Sequence, residues 1–218
     1  MRQLSVLRGF AFFATVLISS TMAFAQIGEY TLSAGYSHIY TGSNSSLFYD
    51  RDGAYFDADL GWHAPYSRSP LVIGVGLTGS GYWESHDVDV PFNNINGNFI
   101  GQTRLDSDLD NFEIEPRVAF EFWIPRTGIF IKPRIGAGLL INNYSIDQAF
   151  PQTNYTIFHT ADHTGAAFEV RPALQAGYAW GPATVGLDLS YMAAWGGFGG
   201  MGNHAEELRC GVFIGFRF

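Results

Sequence analysis

The stretch FEIEPRVAFEFW, residues 112–123, alternates without a break. Phe112, Ile114, Pro116, Val118, Phe120 and Phe122 fall on one face. Glu113, Glu115, Arg117, Ala119, Glu121 and Trp123 fall on the other. A period of two is that of a β-strand with two unlike faces. Which face points inward decides the fold. A water-soluble barrel buries its apolar face around a ligand, whereas a membrane barrel turns that face to lipid and lines its interior with charge.

The same pattern recurs along the chain. In 129–141, Ile129, Ile131, Pro133, Ile135, Ala137, Leu139 and Ile141 oppose a face with Lys132, Arg134, Gly136 and Gly138. In 168–178, Phe168, Val170, Pro172, Leu174, Ala176 and Tyr178 oppose Glu169, Arg171 and Gln175. Eight alternating segments are expected, near 29–39, 53–63, 71–83, 110–124, 128–143, 165–180, 183–195 and 206–218. The connections at 64–70, 125–127 and 181–182 are short. Those at 40–52, 84–109, 144–164 and 196–205 are long. Short turns at one end and long loops at the other predict an all-β fold, an eight-stranded antiparallel up-and-down transmembrane β-barrel. No composition shift divides residues 26–218, so they form one domain.

Residues 1–25 are read separately. Arg2 and Arg8 precede the apolar run FAFFATVLISSTMAFA, which ends small-x-small at Ala23-Phe24-Ala25. This is the pattern of a secretory signal peptide cleaved before Gln26. Its removal takes two arginines and no acid, moving the formal charge from −8 to −10. An acidic chain with a single lysine, Lys132, is not built to bind nucleic acid. One cysteine, Cys210, allows no internal disulfide.

Three features orient the faces. Trp62, Trp123 and Trp180 lie at the short-turn ends of their segments, and Trp83 and Trp195 at the long-loop ends, as two interfacial girdles require. The polar face carries Asp57, Asp59, Glu113, Glu115, Glu121, Glu169, Asp188 and Glu207 against Arg117, Lys132, Arg134, Arg171, Arg209 and Arg217. That near balance suits an internally paired network, since an unpaired buried charge is costly. Gly74, Gly76, Gly136, Gly138, Gly211 and Gly215 share the inner parity and leave room for long side chains. Pro116, Pro133 and Pro172 fall mid-strand, where each removes a ladder donor.

The closing stretch RCGVFIGFRF, residues 209–218, alternates to its end, with Val212, Ile214, Phe216 and Phe218 on one face. With the features above it makes residues 27–218 resemble the small eight-stranded outer-membrane barrels of Gram-negative bacteria, the OmpA/OmpX-like class. The resemblance implies a porin-like architecture in the outer membrane and lipid and lipopolysaccharide as neighbours. It also implies that Val212, Ile214, Phe216 and Phe218 form the signal read by the barrel-assembly machinery. Pairing with the first strand would remove the last free edge. No residues after Phe218 remain for a wall-binding domain, so a barrel alone is expected.

The expected role is structural or surface-interacting, with no cofactor and no catalysis. The interior charges read as packing rather than as a narrow ion path, because eight strands leave a lumen that side chains fill. A lipid-modifying barrel enzyme would need a His-x-Ser motif. The nearest match is Phe158-His159-Thr160-Ala161-Asp162-His163, which has Thr in place of Ser. His159 and His163 have metal-ligand spacing only on a helix. Asp106, Asp108 and Asp110 begin like a calcium loop but lack its Gly and Glu; alternation places them on one strand face instead. These five residues are the weak metal candidates. The Asn-rich, aromatic stretches 43–50, 91–101 and 149–158 are the candidate contact surface for an outside ligand. The Asn-x-Ser/Thr patterns at Asn44, Asn143 and Asn154 are read as chance.

Overall fold

The computed structural model describes residues 28–41, 50–63, 70–94, 97–150, 155–197 and 204–218, and for 84–106 and 146–163 the backbone course alone. The expected signal peptide, Asn44 and Asn154 lie outside the described residues. The strands are β1 Gly28–Thr41, β2 Asp50–His63, β3 Leu71–Asn94, β4 Gly97–Phe120, β5 Phe122–Trp123, β6 Ile129–Phe150, β7 Tyr155–Trp180, β8 Ala183–Gly196 and β9 His204–Arg217. Each pairs antiparallel with its neighbour; β1 meets β9, and β4 meets β6. β5 resumes β4 after a break at Glu121, so nine segments make eight staves of a closed barrel. Closure leaves no free edge along the staves.

The seam between the first and last staves is continuous. Glu29 stands opposite Arg217, and the register runs to Thr41 opposite Ala205. Gly28 N donates to Phe218 O at 2.9 Å and Phe218 N to Gly28 O at 3.0 Å. The Phe218 ring stacks on Tyr30 with centroids 4.9 Å apart. The tight turn at Gly181–Pro182 has φ +60° at Gly181, a conformation glycine adopts without strain.

The three prolines now have a physical place. β4 and β6 pair at Ile114–Leu139 and again at Arg117–Gly136, skipping Pro116. β7 and β8 pair at Val170–Ala193 and again at Ala173–Ser190, skipping Pro172. Between Ala119–Arg134 and Phe122–Ile131 the skipped residues include Pro133 and Glu121. Each proline thus sits at a gap on one side of its strand, while its other side stays paired through Val75, Ile135 and Leu174.

One sequence expectation is corrected. Segments 84–109 and 144–164, expected as long loops, are hairpins: β3 and β4 stay in register to Asn94 opposite Gly97, and β6 and β7 pair out to Phe150 opposite Tyr155. Val88, Val90 and Phe92 keep the alternation going through an acidic stretch, and that period outweighs the loop-like composition. Trp123 keeps the charged-face parity: β4 and β5 pair with β6 in one register across Glu121, and the Trp123 ring, open to the outside at the barrel end, lies 5.3 Å from the inward Phe130 ring.

The two faces are sharply unlike. Leu32, Ile73, Ile114, Ile135, Leu174, Leu187 and Ile214 all point outward and are at least 40% exposed. From Ile129 to Ile141 the outer residues of β6 are apolar, which is roughly 40 Å of strand. At the tilt of such barrels this is a band on the order of 30 Å tall. Trp62, Trp123 and Trp180 rim its short-turn end. Trp195 and Trp83 rim the other, Trp83 lying mid-strand in the extended β3.

Candidate functional site

The inner residues build the lumen in three tiers. At the short-turn floor, Glu29 bonds Lys132, His63 Nε2 lies 3.2 Å from Glu29, and Arg217 bonds Glu121. Trp123 Nε1 donates to Glu121 at 2.7 Å, and the Arg217 guanidinium lies over the Trp123 ring at 4.6 Å. In the next tier Arg117 donates to both Asp57 oxygens, at 2.6 and 2.8 Å, and bonds Glu115. Arg134 reaches Asp188 at 2.8 Å and Asp59 at 3.2 Å, and Gln175 donates to Asp188 at 2.7 Å. Higher up, Arg209 donates to Glu113 at 2.6 Å and to Glu207 at 2.9 Å. Arg171 bonds Glu113 and lies 3.0 Å from Glu169.

These contacts bring together all fourteen residues named from the sequence for the interior. Glu113 on β4 and Arg209 on β9 belong to diametrically opposite staves, as do Glu121 and Arg217, so the pairs cross the lumen. The inner glycines make this fit. A β-carbon at Gly76 would fall inside the Arg117 guanidinium, and one at Gly136 on the Glu115 carboxylate. Glu29, His63 and Arg51 escaped the sequence reading, though each has the inner parity. Arg51 donates to Ser107 at 2.8 Å. Above these tiers a largely apolar cluster fills the lumen: Ile39, Tyr82, Leu109, Leu140, Tyr144 and Met192 are at most 4% exposed. The sequence reading took the whole interior as polar and missed this cluster.

The metal candidates fare differently. Asp106, Asp108 and Asp110 occupy alternate positions of β4, a strand and not a calcium loop, and Asp108 and Asp110 are exposed. His159 and His163 lie in β7, where four residues span about 13 Å of strand instead of one helical turn. The register puts Asp106 opposite Asp147 and Asp147 opposite His159. Glu29, His63 and Glu121 offer ligand atoms within 4.8 Å of one another. Lys132 and Arg217 already neutralise those two carboxylates, so the cluster is an ion-pair node.

The outer wall holds polar groups of its own above the apolar band. On β1 and β2, His38 Nδ1 lies 2.7 Å from Asp52, and the Tyr36 hydroxyl donates to the same carboxylate. On β8 and β9, His204 Nε2 lies 3.0 Å from Glu206, which Tyr191 also hydrogen-bonds. Hydrogen bonds from Tyr36 and then His38 hold the Asp52 carboxyl below its usual value; those from His204 and then Tyr191 do the same for Glu206. Ser37, beside His38, is fully buried on the inner face. Cys210 is exposed on the outer face of β9. Asn143 accepts from Thr164 at 2.9 Å.

A closed up-and-down barrel with an apolar wall and a charged lumen defines the class: the fold is that of the small eight-stranded outer-membrane barrels. Among solved structures, the chain is similar to the Neisserial surface protein A, with a TM-score of 0.52 and 16% identity over 88% of this chain and 97% of that one. Matches also include Ail of Yersinia pestis, 13% identical over 89% of this chain and 100% of that one (TM-score 0.45). The N-terminal barrel of Pseudomonas aeruginosa OprF is 14% identical over 88% and 97% (TM-score 0.41). No family model and no curated protein matches the sequence.

Proposed function

We propose that the protein is an integral barrel of a bacterial outer membrane, exported by its N-terminal segment and serving as a closed structural and surface-presenting platform. The observation that carries this is the inversion of its faces. Large apolar side chains cover the outside while the charged ones pair within, an arrangement that a lipid environment rewards and water does not. The lumen supports the non-conducting form of this reading. Glu113–Arg209 spans it, and the buried cluster above fills the space an ion path needs. Val212, Ile214, Phe216 and Phe218 are each at least 47% exposed on the outer face, which suits a signal presented to the assembly machinery. The β3–β4 and β6–β7 hairpins rise past the rim as the surface for an outside ligand. Lipid and lipopolysaccharide are the neighbours of the wall, and no catalytic role is assigned.

The test is extraction from isolated outer membranes followed by electrophoresis of boiled and unboiled samples. Detergent-dependent extraction with a heat-dependent mobility shift is expected. A freely soluble protein with no shift would overturn the reading. Discrete steps in planar-bilayer recordings would replace the closed platform with a narrow pore.

A further inference from the structure

The low rim formed by β2, β1, β9 and β8 carries one arrangement twice. Asp52 is met by Tyr36 and His38, and Glu206 by Tyr191 and His204. The two groups are adjacent on the wall: Asp52 stands opposite His38, His38 opposite Leu208, and Tyr40 opposite Glu206. The His38 ring packs edge-on to Tyr40 at 4.3 Å, and Trp195 lies 5.8 Å from His204. All of these side chains point sideways from the barrel. Asp52 stays 73% exposed and Glu206 44%. Directly below them on the same staves the outer residues are apolar, including Phe56, Val212 and Leu189.

A carboxylate 73% exposed on an outer wall does not belong in hydrocarbon. The rim therefore lies at the level of lipid headgroups. Its chemistry is carboxylates and imidazoles that bond hydroxyls, set among exposed aromatic faces. Direct pairing with phosphate finds no support there. Among the described side chains, Lys132 and the arginines point into the lumen, save Arg126 in the turn at the opposite end. The groups face along the wall, toward what surrounds the barrel in its own leaflet, and not upward to solvent.

We propose that this rim is a binding site for the sugar headgroup of a glycolipid in the surrounding leaflet, the two carboxylates accepting hydroxyl hydrogen bonds and the tyrosines flanking the ring. It rests on the membrane-barrel reading above. The test places the full barrel in phosphatidylcholine nanodiscs with graded amounts of an uncharged monoglucosyl diacylglycerol, with phosphatidylglycerol as competitor. Retained lipid is counted by native mass spectrometry. Saturable retention of the glycolipid in preference to phosphatidylglycerol is expected. The double variant Asp52→Asn/Glu206→Gln should weaken it by about tenfold or more, from the strength of hydrogen bonds to charged groups, while the heat-dependent mobility shift is kept. Equal retention of phosphatidylglycerol, dependence on added divalent cation, or unchanged binding by the variant would each overturn the site. Loss of the mobility shift in the unsubstituted protein would instead bring down the membrane reading beneath it.

Discussion

Arg209→Met is the most informative change in the lumen. Arg209 is 2% exposed and donates to Glu113 at 2.6 and 3.1 Å, to Glu207 at 2.9 Å and to Ser80 at 3.2 Å. Its tier holds three carboxylates, Glu113, Glu169 and Glu207, against Arg171 and Arg209, with Glu115 bordering it at 3.5 Å from Arg171. Methionine keeps most of the volume and removes the charge. Two buried carboxylates then lose their main partner, and breaking one side of a buried ion pair costs about 3–5 kcal/mol. The tier is acid-rich, so removing an acid should cost far less. Glu169→Gln is the matched control, because Glu169 Oε1 has no hydrogen-bond partner and Arg171 keeps Glu113. Its expected effect is within about 1 kcal/mol. The assay is urea unfolding of the barrel refolded into lipid vesicles, followed by tryptophan fluorescence and by the unboiled gel band. Adding Glu207→Gln to Arg209→Met should recover about 1–3 kcal/mol as coupling energy. If Arg209→Met unfolds within about 1 kcal/mol of the parent, or Glu169→Gln costs as much as Arg209→Met, the paired lumen does not hold the barrel together.

Further outcomes follow from other contacts. Gly76→Ala drives a methyl into the Arg117 guanidinium and should cost about 1–3 kcal/mol in the same assay, as overpacking does. Pro116→Val restores a backbone donor at the β4–β6 gap and should slow amide exchange at the flanking residues, adding about 0.5–1.5 kcal/mol. The Asp52 carboxyl titrates below its reference value of 3.8, so its contribution is complete above that value and fades as the pH falls through the lowered one. Tyr36→Phe removes the largest cause, and the Asp52 titration followed by NMR should move back up. Zinc titration should show no saturable site that depends on His63, because Lys132 and Arg217 occupy its two carboxylate neighbours.

Alternation made the staves legible because a period of two needs only the residues of one strand. It also made the lumen legible: once the apolar face was turned outward, every charged residue of the other parity had to find a partner inside. What stayed hidden depends on how far a strand runs or on neighbours across the sheet. The hairpins beyond Trp83 read as loops because Asp87, Asp89 and Asn93 looked like solvated residues, although Val88, Val90 and Phe92 kept the strand period. The outer-wall pairs were invisible for a different reason. His38 and Asp52 are fourteen residues apart, and only the register of β1 on β2 sets them side by side.

The prolines join these levels. A mid-strand proline costs a ladder bond, which inside a lipid-facing wall leaves a backbone acceptor without its donor. Pro116, Pro133 and Pro172 lie on three consecutive staves, and each interrupts the ladder on one side. Directly inside the same stretch stand Glu115, Lys132 and three multiply paired arginines, Arg117, Arg134 and Arg171. Where the backbone ladder is thinnest, the staves are tied from within: Arg117 on β4 to Asp57 on β2, Arg134 on β6 to Asp188 on β8, and Arg171 on β7 to Glu113 on β4. This predicts that Pro116→Val and Arg117→Met are not additive. With the β4–β6 ladder restored, loss of the Arg117 ties should cost less than it does in the parent. A double-mutant cycle with a coupling energy indistinguishable from zero would show that the ladder and the lumen act independently.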